Sequence, residues 1–337
     1  MVERKGEKVK KTVVMLSVLI IGLLMVGACS KGTLILEEPP LNITWSQITQ
    51  TVEFDSRAGH TSLVYGDKMW IITGNGWDED DDVLNSSDGG TWIQVTNTVT
   101  FGQRESHTSI VFNDLMWVIG GTSGSGDVWK SNDGIVWEQV TNTAGFGERE
   151  GHTSIVYNSK IWVIGGWGNS KRHNDVWCSG DGIDWIQTTE TAAFGEREGH
   201  ASVVFKNMMW VIGGFGKDGN CYNDVWNSSD GINWNQVTGE AGFKPRYGHT
   251  CIVYKDKMWI IGGEHYYYNS MMDEGYYFLD DVWYSKNGAK WIKVAGTTGF
   301  NVRAFHTSVV YNNAIWIIGG YNGLGYYNDV WQIKTDN

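Results

Sequence analysis

The chain has 337 residues, of which 19% are charged and 41% are apolar, a composition that excludes an intrinsically disordered protein. The formal net charge of −12 argues against nucleic acid or anionic lipid as a partner, because both require a basic face. Glycine (44 residues) and tryptophan (19 residues) are both unusually frequent, which indicates many short strands joined by turns.

The first forty residues have the composition of a targeting segment. Basic residues between Arg4 and Lys11 precede an apolar run over 12–27, and the small residues Val26, Gly27 and Ala28 precede Cys29. This pattern resembles the lipobox of bacterial lipoproteins. The resemblance implies that residues 1–28 are a signal peptide, that the Cys29 thiol is lipidated, and that 29–41 is a tether to the cell envelope, at the outer membrane or cell surface. An ordinary signal peptide or anchor with a chance cysteine is the alternative.

From residue 42 to 337 the sequence repeats six times. Each unit has an arginine three residues before a histidine, and the pairs are Arg57/His60, Arg104/His107, Arg149/His152, Arg197/His200, Arg246/His249 and Arg303/His306. Each unit predicts four strands: an alternating strand a (HTSIVY in the third unit), a continuously apolar strand b (IWVI), a strand c (DVW-like) and a strand d (W-x-Q-V-T-like). The c–d connection carries Asp-Gly or Asn-Gly, which favours a tight hairpin.

Four antiparallel strands per unit, repeated six times, predict an all-β, six-bladed propeller. The Gly-Gly pair after strand b, with an aromatic residue later in the unit, resembles the kelch repeat and the central domain of galactose oxidase. The first unit departs from the pattern, with Thr73-Gly74 at the pair and Leu84 in place of the strand-c tryptophan. The last repeat stops after its strand c, whereas residues 44–54 have the sequence pattern of a strand d and its following loop. We therefore expect the N-terminal strand to complete the last blade.

Residues that recur in every unit are expected to support the fold. We expect each arginine to pair with acidic or carbonyl groups between blades, and each histidine to hydrogen-bond at the start of strand a. An anion-binding ring of arginines is the alternative. Seventeen of the 19 tryptophans occupy recurring positions in strands b, c and d, and only Trp77 and Trp167 do not.

Most remaining aromatic residues lie in the b–c loops, whose lengths vary up to the 17-residue insertion of the fifth unit. Variable loops on a rigid scaffold favour a binding role, so we predict a non-catalytic protein that binds a glycan or a protein partner at this face. The alternative is that the aromatic rings pack on each other and plug the channel. The candidate ligand-binding residues are Trp77, Trp167, Arg172, His173, Phe215, Tyr222, His265, Tyr266, Tyr268, Tyr321 and Tyr326.

An enzyme is the alternative function. The S-x-D-G turns resemble the Asp-box of sialidases, and the kelch-type sialic-acid epimerases are a further comparison; such chemistry would need an acid–base pair at the mouth of the propeller. Candidates for that pair are Glu264, His265, Arg172, His173, Asp273 and Glu274. Only two histidines lie outside the repeat, which argues against the copper site of galactose oxidase, and we expect no cofactor.

Two smaller features have alternative readings. The acidic run over 78–82, with Asp78, Asp80 and Asp81, could bind calcium, but a solvated acidic loop is favoured because the run lacks an EF-hand pattern. Beyond Cys29 the chain has Cys178, Cys221 and Cys251, which lack metal-ligand spacing. A disulfide between Cys221 and Cys251 is one alternative for two of them.

Overall fold

The computed structural model describes residues 41–49, 54–76, 81–122, 126–268, 274–296 and 298–336. These residues form strands and turns, and no part of them forms a helix long and apolar enough to cross a membrane. Cys29, the predicted signal peptide over 1–28 and most of the tether lie outside the described residues.

Most of the described strands assemble into six antiparallel blade sheets, each with the predicted strands a to d from the inside outward, and two further two-stranded sheets lie in the loops. Strands a are β3 (Thr61–Tyr65), β8 (Thr108–Phe112), β12 (Thr153–Tyr157), β17 (Ala201–Phe205), β21 (Thr250–Tyr254) and β27 (Thr307–Tyr311). Strands b are β4 (Lys68–Ile72), β9 (Leu115–Ile119), β13 (Lys160–Gly168), β18 (Met208–Gly216), β22 (Lys257–Ile261) and β28 (Ala314–Tyr321). The all-β, six-bladed propeller is confirmed.

The outer half of each blade is equally regular. Strands c are β6 (Val83–Ser86), β10 (Val128–Ser131), β14 (Lys171–Ser179), β19 (Cys221–Ser228), β25 (Val282–Ser285) and β29 (Tyr326–Thr335). Strands d are β7 (Ile93–Thr96), β11 (Glu138–Thr141), β15 (Ile186–Thr189), β20 (Asn235–Thr238), β26 (Ile292–Lys293) and, for the last blade, β1 (Ile43–Thr49). Five further strands lie in the loops: β2 (Arg57–Ala58), β5 (Asn75–Gly76), β16 (Arg197–Glu198), β23 (Glu264–Tyr268) and β24 (Glu274–Phe278).

The ring closes as the sequence predicts. Strand β1 pairs antiparallel with β29, with Ile43 opposite Thr335 and Trp45 opposite Ile333. The Trp45 ring lies 5.7 Å from the ring of Phe300, which packs the N-terminal strand onto the last connecting loop. Because the N-terminal and C-terminal strands share one sheet, no blade edge is left open between the first and last units.

The core lies between adjacent blades because strand b is covered on both faces. Met69, Ile71 and Ile72 of β4 have no exposed surface. The tryptophans of five strands b pack beneath the c–d turn of the next blade; Trp70, for example, lies under Gly134. That glycine has a φ of 74°, and a Cβ atom built on it would come within 2.4 Å of the indole. The turn therefore needs glycine for its conformation and for its contact with the neighbouring blade.

Each repeated arginine is buried and holds three segments of its own blade together. In the third blade, Arg149 donates to both carboxylate oxygens of Asp175 at 2.8 and 3.2 Å and to the Gly165 carbonyl at 3.0 Å. All six arginines form such a pair with the aspartate that directly precedes the recurring valine of strand c, at shortest distances between 2.6 and 2.8 Å. The expectation that these arginines pair between blades is wrong: their charge partners lie within one blade.

The same aspartates also accept a hydrogen bond from the tryptophan of strand c. In the third blade, Trp177 Nε1 donates to Asp175 at 2.8 Å. The first blade has Leu84 at the tryptophan position, and there the side-chain amide of Gln94 donates to Asp82 at 3.2 Å. The departure of the first unit from the repeat is therefore compensated by a residue of its strand d.

The repeated histidines are the groups that link neighbouring blades. The Nε2 atom of each of five histidines lies 2.8 to 3.1 Å from the Oγ1 atom of the threonine that begins strand a of the preceding blade. The sixth position has Ala201 in place of threonine, and within the described residues Nε2 of His249 has no hydrogen-bond partner. Three of the histidines, His107, His200 and His249, line a channel of about 260 Å³ together with threonine and serine side chains of the strands a.

The buried histidines predict acid sensitivity. Burial, followed by the charge of the adjacent arginine, lowers the pKa of His60, His152 and His249 from 6.5 to about 3. A histidine with a depressed folded-state pKa contributes stability above pH 6.5 that is lost as the pH falls toward the folded value. Each histidine should steepen the decline in unfolding free energy by about 1.4 kcal/mol per pH unit. Urea unfolding at several pH values across this range measures how steeply the unfolding free energy depends on pH. In His152→Gln that slope should be smaller by the contribution of one proton, and an unchanged slope would contradict the assignment.

The interrupted position at Ala201 predicts a stabilising substitution. Ala201→Thr supplies the hydroxyl that His249 lacks, and should raise the unfolding free energy by about 1 kcal/mol. Ala201→Val is the matched control, because valine has nearly the same shape and no hydroxyl. The two variants are compared by thermal and urea unfolding. A gain in stability that valine gives equally would assign the effect to packing.

Candidate functional site

The face that carries the b–c and d–a loops, here the loop face, opens around a ring of backbone hydrogen bonds. The residue before each repeated histidine donates its N–H to the corresponding carbonyl of the neighbouring blade, and six such bonds of 2.8 to 3.0 Å close a circle. All six residues have positive φ: Gly59, Ser106, Gly151, Gly199, Gly248 and Phe305. Positive φ is rare for a residue as bulky as Phe305, so strain is stored at this opening.

Two sequence positions per blade form the wall of the opening, which we call the mouth. One directly follows the repeated arginine and the other directly follows the Gly-Gly pair. The two pair as backbone neighbours, as Glu150 with Trp167, Tyr247 with Glu264 and Ala304 with Tyr321 do. Because the scaffold fixes both positions, their side chains are free to differ from blade to blade. The first set is Ala58, Glu105, Glu150, Glu198, Tyr247 and Ala304, and the second is Asn75, Thr122, Trp167, Phe215, Glu264 and Tyr321.

One half of the mouth is acidic. Glu105, Glu150 and Glu198 occupy the same position in three consecutive blades. Burial, followed by the charges of Glu198 and Glu105, raises the pKa of the Glu150 carboxyl. Burial also raises the pKa of Glu198, although Arg172 opposes that shift. Glu150 therefore lies in the field of both neighbouring carboxylates, and a hydrogen-bond donor or cation placed beside it would be stabilised.

Arg172 is held rigidly at the edge of this acidic half. Its guanidinium contacts Glu198 at 2.7 Å and lies between two rings, 5.2 Å from the centroid of Trp167 and 4.4 Å from that of Phe215. Trp167, the candidate outside the tryptophan repeat, therefore supports an arginine as one wall of a sandwich. A planar guanidinium between two aromatic faces with a carboxylate partner is well suited to stay in one position.

The aromatic residues of the fourth and fifth blades pack against each other. The Phe215 ring stacks on Tyr247 at 5.3 Å and meets Tyr266 edge-on at 5.7 Å. Glu264 is buried beside them and hydrogen-bonds Tyr247; burial raises the pKa of both side chains, and the Glu264 charge raises that of Tyr247 further. Mutual packing, the alternative stated for the loop aromatics, applies to this part of the mouth.

The long insertion of the fifth blade forms a hairpin of β23 and β24 that stands over the mouth. Its inner face places Tyr266 against Phe215 of the fourth blade and Phe278 against Tyr321 of the sixth, at 5.7 Å in each case. Tyr276 lies opposite Tyr266 and is 57% exposed. The hairpin therefore extends the aromatic wall above the surface of the propeller.

The remaining side of the mouth encloses a cavity of about 270 Å³. Its lining includes the side chains of Glu105 and Glu150, those of Tyr321 and Tyr326, and Thr122. The two tyrosine rings are 5.1 Å apart. Burial, followed by the charge of Glu105, raises the pKa of the Tyr326 phenol, so the acidic and aromatic walls act on each other across the cavity.

The other sequence candidates are spread over the loop face, several of them held by local contacts. The Tyr222 hydroxyl is bonded to Asp218 at 2.9 Å, and burial together with Asp218 raises its pKa to about 12. His173 contacts the Gly168 carbonyl at 3.1 Å, and His265 contacts that of Pro245 at 2.8 Å. Trp77, Asp78, Asp80, Asp273 and the side chains of Tyr268 and Glu274 lie outside what the structure describes.

The metal and disulfide alternatives gain no support from the part of the chain that the structure describes. No group of three or more histidine, cysteine, aspartate or glutamate side chains there could hold a metal ion, and Asp81 belongs to no such group. Cys178, Cys221 and Cys251 are free thiols. Cys221 accepts a hydrogen bond from the Tyr266 backbone at 3.3 Å, whereas Cys251 lies in the wall of the channel.

The carboxylates of the mouth are the functional candidates that sequence reasoning missed. Each of these glutamates lies in the motif R-E-x-H, so each resembles a conserved part of the repeat. They are Glu105, Glu150 and Glu198. The signal that could have found them is that the same position holds alanine or tyrosine in the other three blades. A side chain that differs between blades within an otherwise constant motif is not required to stabilise the blade, so it is available for binding.

Comparisons with known proteins agree with this architecture. Residues 129–263 match the family described as the KLHDC2/KLHL20/DRC7 Kelch-repeats domain, and residues 303–337 match the Kelch motif. A solved structure titled "Structure of YjhT" is similar with a TM-score of 0.67 and 18% identity, over 86% of this chain and all of that one. At that identity the likeness shows the fold alone. No curated protein sequence matches. The chain thus carries kelch repeats on a six-bladed propeller.

The raised pKa of Glu150 predicts that this side chain costs stability. Its ordinary value is 4.5, and a carboxyl whose pKa is raised by folding destabilises the folded state above the raised value and has no such effect below 4.5. Glu150→Gln should therefore raise the melting temperature at neutral pH, with the gain disappearing as the pH falls below that range. Glu138→Gln, on an exposed side chain of an outer strand, is the control. Equal melting of Glu150→Gln and the parent at neutral pH would contradict the prediction.

Proposed function

We propose that this kelch-repeat propeller binds a saccharide in the mouth cavity. The observation that carries the proposal is the pairing of two carboxylates, Glu105 and Glu150, with the rings of Tyr321 and Tyr326 across one concave site. Carboxylate oxygens accept hydrogen bonds from sugar hydroxyls, and aromatic rings cover the apolar face of a sugar. A volume of about 270 Å³ fits one small ligand rather than a protein surface.

The acidic position is suited to ligand binding because it is unfavourable in the empty protein. Glu150 lies between two like charges in a partly buried site, and a ligand that donates hydrogen bonds would relieve that cost. Residues kept at the expense of stability commonly serve function. The strained backbone of Phe305, which also lines the cavity, supports the same conclusion.

Binding without turnover is favoured over catalysis by the state of the acid–base candidates. Arg172 is paired with Glu198, His173 and His265 contact backbone carbonyls, and Glu264 is buried against Tyr247. None of these four lines the cavity. Saccharide recovered unchanged after long incubation, as read by mass spectrometry, is the expected result. Turnover that is lost in Glu264→Gln would overturn the non-catalytic assignment.

The location that we propose is the bacterial cell envelope, with attachment through a lipid on Cys29. What supports it is the basic segment, apolar run and small residues that precede this cysteine. Metabolic labelling with a fatty-acid analogue, lost in Cys29→Ser, tests the attachment separately from ligand binding.

Saccharide binding is tested on a glycan array and then by calorimetry with the ligand found. Glu150→Gln removes a charge-assisted hydrogen bond and should weaken binding roughly 10- to 100-fold. Tyr326→Ala removes a ring contact and should weaken it roughly 2- to 10-fold. Glu138→Gln is the control and should bind like the parent. An array without any hit would overturn the saccharide, and full binding by both mouth variants would place the site elsewhere.

A further inference from the structure

A hydroxyl group on one blade is contacted by two side chains of the next blade at several places around the channel. Between the third and fourth blades, Thr153 Oγ1 lies 2.9 Å from His200 Nε2 and 2.6 Å from Ser202 Oγ. Thr108 makes the same two contacts with the third blade, and Thr250 makes them with the sixth. The repeated histidine and the serine two residues after it thus converge on one point of the preceding blade.

Between the fourth and fifth blades this arrangement is changed at two positions. Ala201 occupies the position that is threonine in the other five blades, and Cys251 occupies the position that is serine in the other five. His249 keeps its place in the repeat. We call the space bounded by Ala201, His249 and Cys251 the notch, and all three of these residues line the channel.

The imidazole of His249 is the group that the two changes leave unsatisfied. Its residue is 6% exposed, and within the described part of the chain neither ring nitrogen has a hydrogen-bond partner. The repeat directs its Nε2 atom toward the place where Ala201 lacks a hydroxyl. A buried polar atom without a partner destabilises a fold, so its retention beside a thiol indicates that the notch has a ligand.

The chemistry of the notch favours a soft, monovalent ion. Thiolate and imidazole are ligands that suit Cu(I). The described residues that line the channel carry hydroxyl, imidazole and thiol groups and no carboxylate. One thiolate neutralises a monovalent cation, whereas a divalent ion would keep an uncompensated charge in a site with two protein ligands, and burying such a charge is costly.

We propose that the notch binds one Cu(I) ion between Cys251 Sγ and His249 Nε2. Binding forms one Cu–S and one Cu–N bond, the thiol proton passes to water, and the oxidation state of the ion does not change. The channel connects the notch to solvent. None of the notch residues lines the mouth cavity, so the site is independent of what the mouth binds.

The test titrates the full chain with Cu(I) against the chromogenic chelator bicinchoninate, without oxygen and with ascorbate present. The parent should bind one more ion than Cys251→Ser, a variant that restores the serine of the other blades. X-ray absorption should show one sulfur and one nitrogen neighbour for that additional ion. Cys178→Ser is the matched control, because it removes another buried free thiol, and it should bind like the parent.

Ala201→Thr tests the geometry because it leaves both ligands in the chain. Its hydroxyl fills the notch and gives His249 a partner, so the additional ion should be lost although the thiol remains. This variant also keeps the proposal testable if a substitution of His249 prevents folding.

Three results would overturn the proposal. Equal binding by the parent and Cys251→Ser overturns the site and leaves water as the partner of His249. Loss of the ion in Cys251→Ser but not in Ala201→Thr overturns the role of His249 and of the notch. Displacement of Cu(I) by an equal concentration of Zn(II) overturns the choice of ion. Saccharide binding should be the same in every variant, so the failure of one proposal is distinguished from failure of the other.

Discussion

The buried arginine–aspartate pair is the interaction on which each blade depends. One guanidinium joins the loop that enters the blade to strands b and c; in the third blade it does so through Phe146, Gly165 and Asp175. Removing one partner of a buried pair leaves an uncompensated charge and costs about 3–5 kcal/mol. The tryptophan of strand c, or Gln94 in the first blade, donates a further hydrogen bond to the same carboxylate. Because all six blades contain this pair, the same interactions stabilise each of them.

The constant scaffold of the blades makes the variable mouth possible. The residue after each arginine and the residue after each Gly-Gly pair are held in place by the scaffold without contributing to it. They can therefore change freely, and they do: three carboxylates on one side and tyrosine or alanine on the other. Part of this wall is rigid, because Arg172 and the ring cluster at Phe215 are fully engaged with protein partners. The open part, between Glu150 and Tyr326, is where space and polar groups remain.

The two faces of the disc differ in charge although they are built from the same repeats. The loop face gathers glutamates because they follow the repeated arginine. The opposite face, which carries the a–b and c–d turns and is here the turn face, gathers lysines because two adjacent blades have basic turns. A chain with one net charge thus presents two different local surfaces, because screening makes charge a local property.

The sequence by itself determined the architecture. Its alternating and apolar runs, its Asp-Gly turns and its sixfold period specify four-stranded blades, and the displaced strand d at the start specifies closure, because these signals are local and repeated. Tertiary structure decided what could not be local. The arginines pair within blades and the histidines across them, because loop geometry sets which segment lies within reach of each side chain. The loop aromatics include Phe215, which packs against Tyr247, and Tyr326, which lines a cavity, and nothing in their spacing separates the two. The lysines of the turn face come together only when the ring forms, because proximity between distant turns is a property of the closed propeller.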